Sequence, residues 1–235
     1  AARHGDLRGF LVLNFSKIVD MNNALSSWQP HAEIPAHMLT RFALPMKWDF
    51  SEAVPTSDSS GTVESAIKRS IEALPTLTVV QGHATVQLAD AADHPLPDDS
   101  ATVWFTDPPY YFAVPYADIS DFFFVWINRA LPGHSLLRDP FDSTNPLTPK
   151  ERELCEMAHW DADRYAHKDK VFFEEGMRRA FAEGRRVLRE DGVGAVVFAH
   201  KTTEGWEALL SGMIRGGWTI TGSWPIATEM GSRLR

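Results

Sequence analysis

Four consecutive residues, Asp107-Pro108-Pro109-Tyr110, carry the clearest chemical signal in the chain. Two adjacent prolines remove two backbone N–H donors and fix φ at both positions, so this loop is stiff and displays its carbonyls. The residue before a proline is driven towards extended backbone, which constrains Asp107 as well. The product is a carboxylate and a bare carbonyl held side by side, with an aromatic ring next to them. Two acceptors with no basic group suit an amino group that offers two N–H bonds. The segment just before, Thr102-Val103-Trp104-Phe105-Thr106, is β-branched and aromatic without a charge, the pattern of a strand covered on both faces. The motif therefore falls at the carboxyl end of a strand, where open α/β sheets place their ligand crevice.

The elements that must hold this loop can be read from periodicity. Leu7, Phe10, Leu11, Phe15, Ile18, Leu25 and Trp28 predict a helix over residues 6–28. Pro30, Pro35 and Pro45 break regularity after it, and Ser57 to Gly61 is the strongest turn signal. That turn divides a helical and irregular segment, residues 1–61, from a second region, residues 62–235. A helix from Val63 closed by Pro75 comes next, then short extended segments over Thr76–Gln81 and Ala84–Leu88. Helices are predicted from Asp118 to Leu131, with Asp118 as cap, from Asp169 to Glu190, stopped by Gly192, and from Thr203 to Gly216. Strands are predicted at Val193–Ala199 and Trp218–Trp224, and Leu136–Glu153 reads as loop. Strand and helix alternating with short joints call for a mostly parallel α/β sheet with helices on both faces.

The motif in this setting resembles the catalytic loop of S-adenosylmethionine-dependent amino-methyltransferases, above all the DNA adenine-N6 enzymes. The run Thr106 to Tyr111, continuing from Val114 to Phe123, is similar to the large prokaryotic adenine-specific DNA methylases that often carry a zinc ribbon. So are Ala43 to Phe50, Phe198-Ala199-His200-Lys201 and Ser223 to Glu229, which spreads the resemblance over almost the whole chain. It implies a Rossmann-like methyltransferase fold, incomplete at its N-terminal side, with S-adenosylmethionine as cofactor and duplex DNA as partner. Asp107 and the Pro108 carbonyl would accept both N–H bonds of adenine N6 and stabilise the charge that develops on that nitrogen, with Pro109 stiffening the loop and no metal required. Tyr110 would stack on the flipped base, with Tyr111 and Trp224 as further candidates for its second wall. Gly82 and Ala84 would touch the cofactor through their backbones, with Asp107 as a third contact. His200, after a strand end, and Glu229 are further site candidates.

One departure matters as much as the match. Such enzymes hold the cofactor with a Gly-x-Gly loop joining a strand to a helix, and none of the 15 glycines forms one. Gly192-Val193-Gly194 opens a strand instead. The loop is expected upstream of Ala1 or from another subunit, and the chain on its own is expected to hold the cofactor poorly. Two other readings stay open: methylation of guanine N2 in RNA, which related Asp-Pro-Pro-Tyr enzymes perform, and a non-catalytic docking module of a larger DNA-modifying assembly.

Composition narrows the field further. A net charge of −8 argues against holding nucleic acid by bulk electrostatics, so any such contact must be local. The basic face carried by Arg178, Arg179, Arg185, Arg186 and Arg189 reads as solvated, and the aromatic run Phe122 to Trp126 reads as core. The single cysteine, Cys155, excludes an intrachain disulfide and fits a reducing cytoplasm. No apolar run approaches the roughly 20 residues a bilayer span needs.

Overall fold

The computed structural model describes residues 2–39, 47–48, 50, 53–78, 82, 84–111, 114–200 and 202–226. The chain forms two compact units, the first comprising residues 1–87 and 117–149 and the second residues 88–116 and 150–235. It is mixed α/β, and no described helix is long and apolar enough to cross a membrane.

In the first unit, α1 (Ala2–Met21) packs on α2 (Val63–Thr78), and a short antiparallel pair joins β1 (Trp28–Gln29) to β2 (Ile34–Pro35). A helix was expected to run on to Trp28, but it ends at Met21. The reason is local: Asn23 Nδ2 donates to the Val19 carbonyl at 2.7 Å and its Oδ1 accepts the Leu25 amide at 2.8 Å, a side-chain turn that replaces the next helical bonds. Pro75 does not close α2, which continues to Thr78; a proline ring deletes only its own amide, and the last turn forms beyond it. Residues 76–78 are thus helical, and 84–88 are unpaired, so neither predicted extended segment there is a strand where described. Ser70 Oγ donates to Asn14 Oδ1 at 2.6 Å and Asn22 Nδ2 donates to the Gly61 carbonyl at 2.7 Å. Because those bonds tie α1 to α2 and to Gly61, the units do not divide at that turn.

The same unit holds α3 (Tyr116–Ala130), which starts two residues before the expected cap and places Asp118 in its first turn, where a carboxylate complements the helix dipole. Asp121 Oδ1 accepts from the Thr148 amide at 3.0 Å and from its hydroxyl at 2.6 Å, which fastens the loop after α3.

The second unit carries the parallel pair β3 (Ala101–Thr106) and β4 (Leu188–Val196), with Phe105 opposite Ala195 and Thr106 opposite Val196. One helical turn, α4 (Ala162–Tyr165), precedes α5 (Lys170–Val187), and α6 (Thr203–Arg215) comes after β4. Asp169 caps α5 by accepting the Phe172 amide at 2.8 Å, and Thr202 caps α6 through the Gly205 amide at 3.3 Å. The helix α5 ends at Val187 rather than near Gly192, and β4 starts at once; the residues from Arg189 to Gly192 form an irregularity between the Ala101 and Val103 pairings.

The core lies between α5, α6 and one face of the strand pair. Phe173, Met177 and Phe181 meet Ala208 and Leu209, with Trp104 and Trp218 closing one end. The Trp104 and Trp218 rings lie 5.2 Å apart and Phe181 meets Trp104 edge-on at 5.6 Å. Glycine makes this possible twice: a Cβ on Gly194 would enter the Trp218 ring, and one on Gly184 the Trp104 ring.

The opposite face of the pair is uncovered among the described residues: Val103 is 63% exposed, Phe105 68% and Val193 65%. The strand expected to be buried on both faces is therefore buried on one, and α5 and α6 share that side. Residues 218–226 form no strand either, and Trp224 is 79% exposed. Hydrophobic composition marks a segment as able to be buried; it does not supply a layer to cover it.

Candidate functional site

Parallel pairing brings two loops out of the sheet at the same edge. The last register pair is Thr106 and Val196, and the Val197 amide still donates to the Thr106 carbonyl at 2.9 Å. Asp107–Tyr110 and Val197–His200 therefore leave neighbouring carboxyl ends side by side.

Within the first loop, Asp107 is exposed, Pro108 is buried, and Pro109 and Tyr110 are half-buried. Among the described residues, neither the Asp107 carboxylate nor the Pro108 carbonyl takes a hydrogen bond or ion pair. Both acceptors are thus uncommitted within the described protein. The Tyr110 ring meets Phe198 of the second loop edge-to-face, with centroids 5.4 Å apart and planes at 89°.

The second loop is held from α6. His200 Nδ1 accepts the Thr202 amide at 3.1 Å, and the Trp206 indole donates to the His200 carbonyl at 3.1 Å. Gly205 sits against the imidazole so closely that any Cβ would collide with it. Phe198 stacks parallel to His200 at 6.0 Å and meets Trp206 edge-on at 5.2 Å.

The other predicted residues are distributed unevenly. Tyr111 is 7% exposed and packs edge-on against Phe173 at 5.0 Å, so its ring belongs to the core. Burial, aided by Glu156, Glu174, Glu204 and Asp169, pushes its hydroxyl pKa above the usual tyrosine value. Trp224 stands exposed outside the ring cluster. Gly82 and Ala84 are exposed members of the first unit. Glu229 lies outside the described residues. Two of the five arginines of the basic stretch on α5 are held in ion pairs: Arg178 with Glu175 at 2.5 Å, and Arg186 with Glu183 at 2.7 Å and Asp98 at 2.5 Å.

Phe198 is the residue that sequence reasoning did not single out. Its signal was present, since an aromatic side chain next to the last residue of a strand shares an edge with whatever the neighbouring strand presents, but strand pairing had to be known first.

Among the described residues no group of three His, Cys, Asp or Glu side chains is placed to hold a metal ion. Of the described glycines with positive φ, Gly61, Gly82, Gly133 and Gly217, only Gly61 leads into a helix, and it is not part of a Gly-x-Gly pair. The described residues therefore include two uncommitted acceptors beside an aromatic ring and no Gly-x-Gly loop joining a strand to a helix. The chain matches no protein-family model, no curated protein and no solved structure.

Proposed function

We propose that this chain is the amine-holding part of a DNA adenine-N6 methyltransferase that uses S-adenosylmethionine. The observation that carries the proposal is the pair of uncommitted acceptors, Asp107 and the Pro108 carbonyl, beside the half-buried Tyr110 ring at the carboxyl end of β3. The Rossmann-like sheet belongs to the same proposal: β3 and β4 are its parallel centre, and the apolar face of Val103, Phe105 and Val193 is where a further layer would pack.

The lone pair of an exocyclic amine is delocalised into the base, so the nitrogen is a weak nucleophile. Acceptors fixed before the reaction draw both N–H bonds towards themselves, favour a pyramidal nitrogen and stabilise positive charge as it develops there. Two prolines hold them without further reorganisation. Tyr110 offsets part of the few kcal/mol lost when a base leaves its stack. The cofactor supplies the methyl group.

The test is incubation of the chain, together with the segment or subunit that supplies the Gly-x-Gly loop, with methyl-labelled S-adenosylmethionine and either duplex DNA or structured RNA. Label recovered as N6-methyladenine supports the proposal. Label found only in RNA replaces it with guanine-N2 chemistry, and the absence of transfer to either moves the chain to the docking-module class.

A further inference from the structure

Beyond the residues that would touch the base, we infer that Phe198 is a positioning residue which sets the tilt of the Tyr110 ring, and thereby the plane on which a flipped base stacks. This rests on the methyltransferase reading for its consequence and on geometry for its cause. Tyr110 comes after two prolines, and the Pro-Pro unit fixes its backbone approach but not the rotation of its side chain. Phe198 stands against the ring, edge-to-face at 5.4 Å and 89°. That arrangement is the preferred one for two aromatic quadrupoles, so it selects one ring orientation over others.

Phe198 is itself held by neighbours on its own loop and on α6, of which His200 also meets the Tyr111 ring edge-on at 6.2 Å. His200 lies parallel to it at 6.0 Å, with planes 9° apart, and Trp206 meets it edge-on at 5.2 Å. Both are tied to the start of α6, His200 through the Thr202 amide and through the space left by Gly205, Trp206 through the His200 carbonyl. Orientation passes from the first turn of α6 to His200 and Trp206, from these to Phe198, and from Phe198 to Tyr110. A leucine or methionine at 198 fills part of the volume and has no quadrupole to aim the tyrosine.

The experiment uses the full chain with ¹³C-labelled tyrosine rings, a small set because the protein has four tyrosines. Tyr110, assigned with Tyr110→Phe, is expected to show ring shifts displaced from those of free tyrosine. In Phe198→Leu, and in Phe198→Met as the second variant should leucine disturb folding, those shifts are expected to move towards the free value, while Phe198→Tyr retains them. Tyr165, buried beside Lys168, is the internal control for an intact fold. A Tyr110 signal unchanged in the Leu and Met variants would overturn the inference. In the labelled-transfer assay the Leu and Met variants are expected to lose roughly three- to tenfold in kcat/KM, mostly through KM, with recovery in Phe198→Tyr. Equal losses in all three variants would also overturn it. Should the unaltered chain, supplied with the Gly-x-Gly loop, transfer no label, the methylation reading falls by itself, and the Tyr110 ring shifts still decide whether Phe198 sets that ring.

Discussion

The Val197 amide donates to the Thr106 carbonyl at 2.9 Å, one step past the last strand pair, and this bond places the Asp107 loop and the Phe198 loop at one edge. Every chemical expectation for the chain depends on that adjacency. An acceptor pair alone would bind any amine; an acceptor pair beside a supported aromatic ring selects a flat one.

Asp107→Ala is expected to lower methyl transfer by about 10²–10³-fold, the cost of removing one preorganised group that stabilises developing charge. The same change should leave stability within about 0.5 kcal/mol, since the side chain is exposed and holds no described partner. Initial rates and urea unfolding on the same preparation check both halves, and full activity in the variant would remove Asp107 from the reaction.

Gly194→Ala should destabilise the protein by about 1–3 kcal/mol, because the added methyl enters the Trp218 ring, which is packed against Trp104 and bonded through its indole N–H to the Phe181 carbonyl. Gly9→Ala provides the contrast. It lies within α1 with nothing near its Cβ position, so alanine there should stabilise by about 0.5–1 kcal/mol. Chemical denaturation midpoints of the two variants should move in opposite directions.

Cys155 is buried, and burial first, then Glu153, pushes its thiol up to about 12 against the partial opposition of Lys168. In the unfolded chain the thiol ionises near the ordinary value of 9.0. Between these values the unfolded state binds fewer protons than the folded one, so stability is full below pH 9 and falls as pH rises towards 12. The loss from this group is at most about 1.4 kcal/mol per pH unit, the linkage limit for one proton. The raised Tyr111 hydroxyl adds a loss of the same sign above pH 10. Cys155→Ala should flatten the alkaline limb of a stability–pH curve, and the native thiol should resist a thiol reagent at about pH 8 until the protein is unfolded.

Arg186 holds the loop before β3 with one guanidinium, reaching the His94 carbonyl at 2.8 Å, the Leu96 carbonyl at 3.1 Å and Asp98 at 2.5 Å, while Glu183 braces it. Arg186→Lys keeps the charge and loses the fork, so it should open residues 94–98 to proteolysis almost as much as Arg186→Ala does. Cleavage rates measured by mass spectrometry give the comparison. Equal resistance in all three proteins would show that the Asp99 and Ser100 amides, bonded to the carbonyls of Arg186 and Val187, suffice to hold the loop.

Much of the local structure could be read from residue order. The strand read at Thr102–Thr106 comes from β-branched and aromatic composition and the helices α3, α5 and α6 from their local pattern, while the structure adds Ala101 to the strand and makes Asp169 the N-cap of α5. The misplaced ends have local causes that apolar spacing and the usual roles of proline and glycine do not carry: Asn23 bonds its own backbone, Pro75 costs α2 one amide, and Gly192 falls inside an irregular pairing with β3. The second wall proposed at Tyr111 and Trp224 could not be judged from order alone, since burial of one ring and exposure of the other depend on α5 and on residues distant in the chain.

What residue order determined by itself is the stiffness of Asp107-Pro108-Pro109-Tyr110, because proline's constraint is covalent and acts wherever the loop is put. It also determined which segments could be helix or strand, since those depend on neighbours within a few positions. Tertiary structure alone decided that one face of the strand pair is covered by α5 and α6 while the other is open among the described residues, and that Tyr110 leans on Phe198. Those are meetings between distant segments, set by strand pairing and helix packing, and no local pattern encodes them.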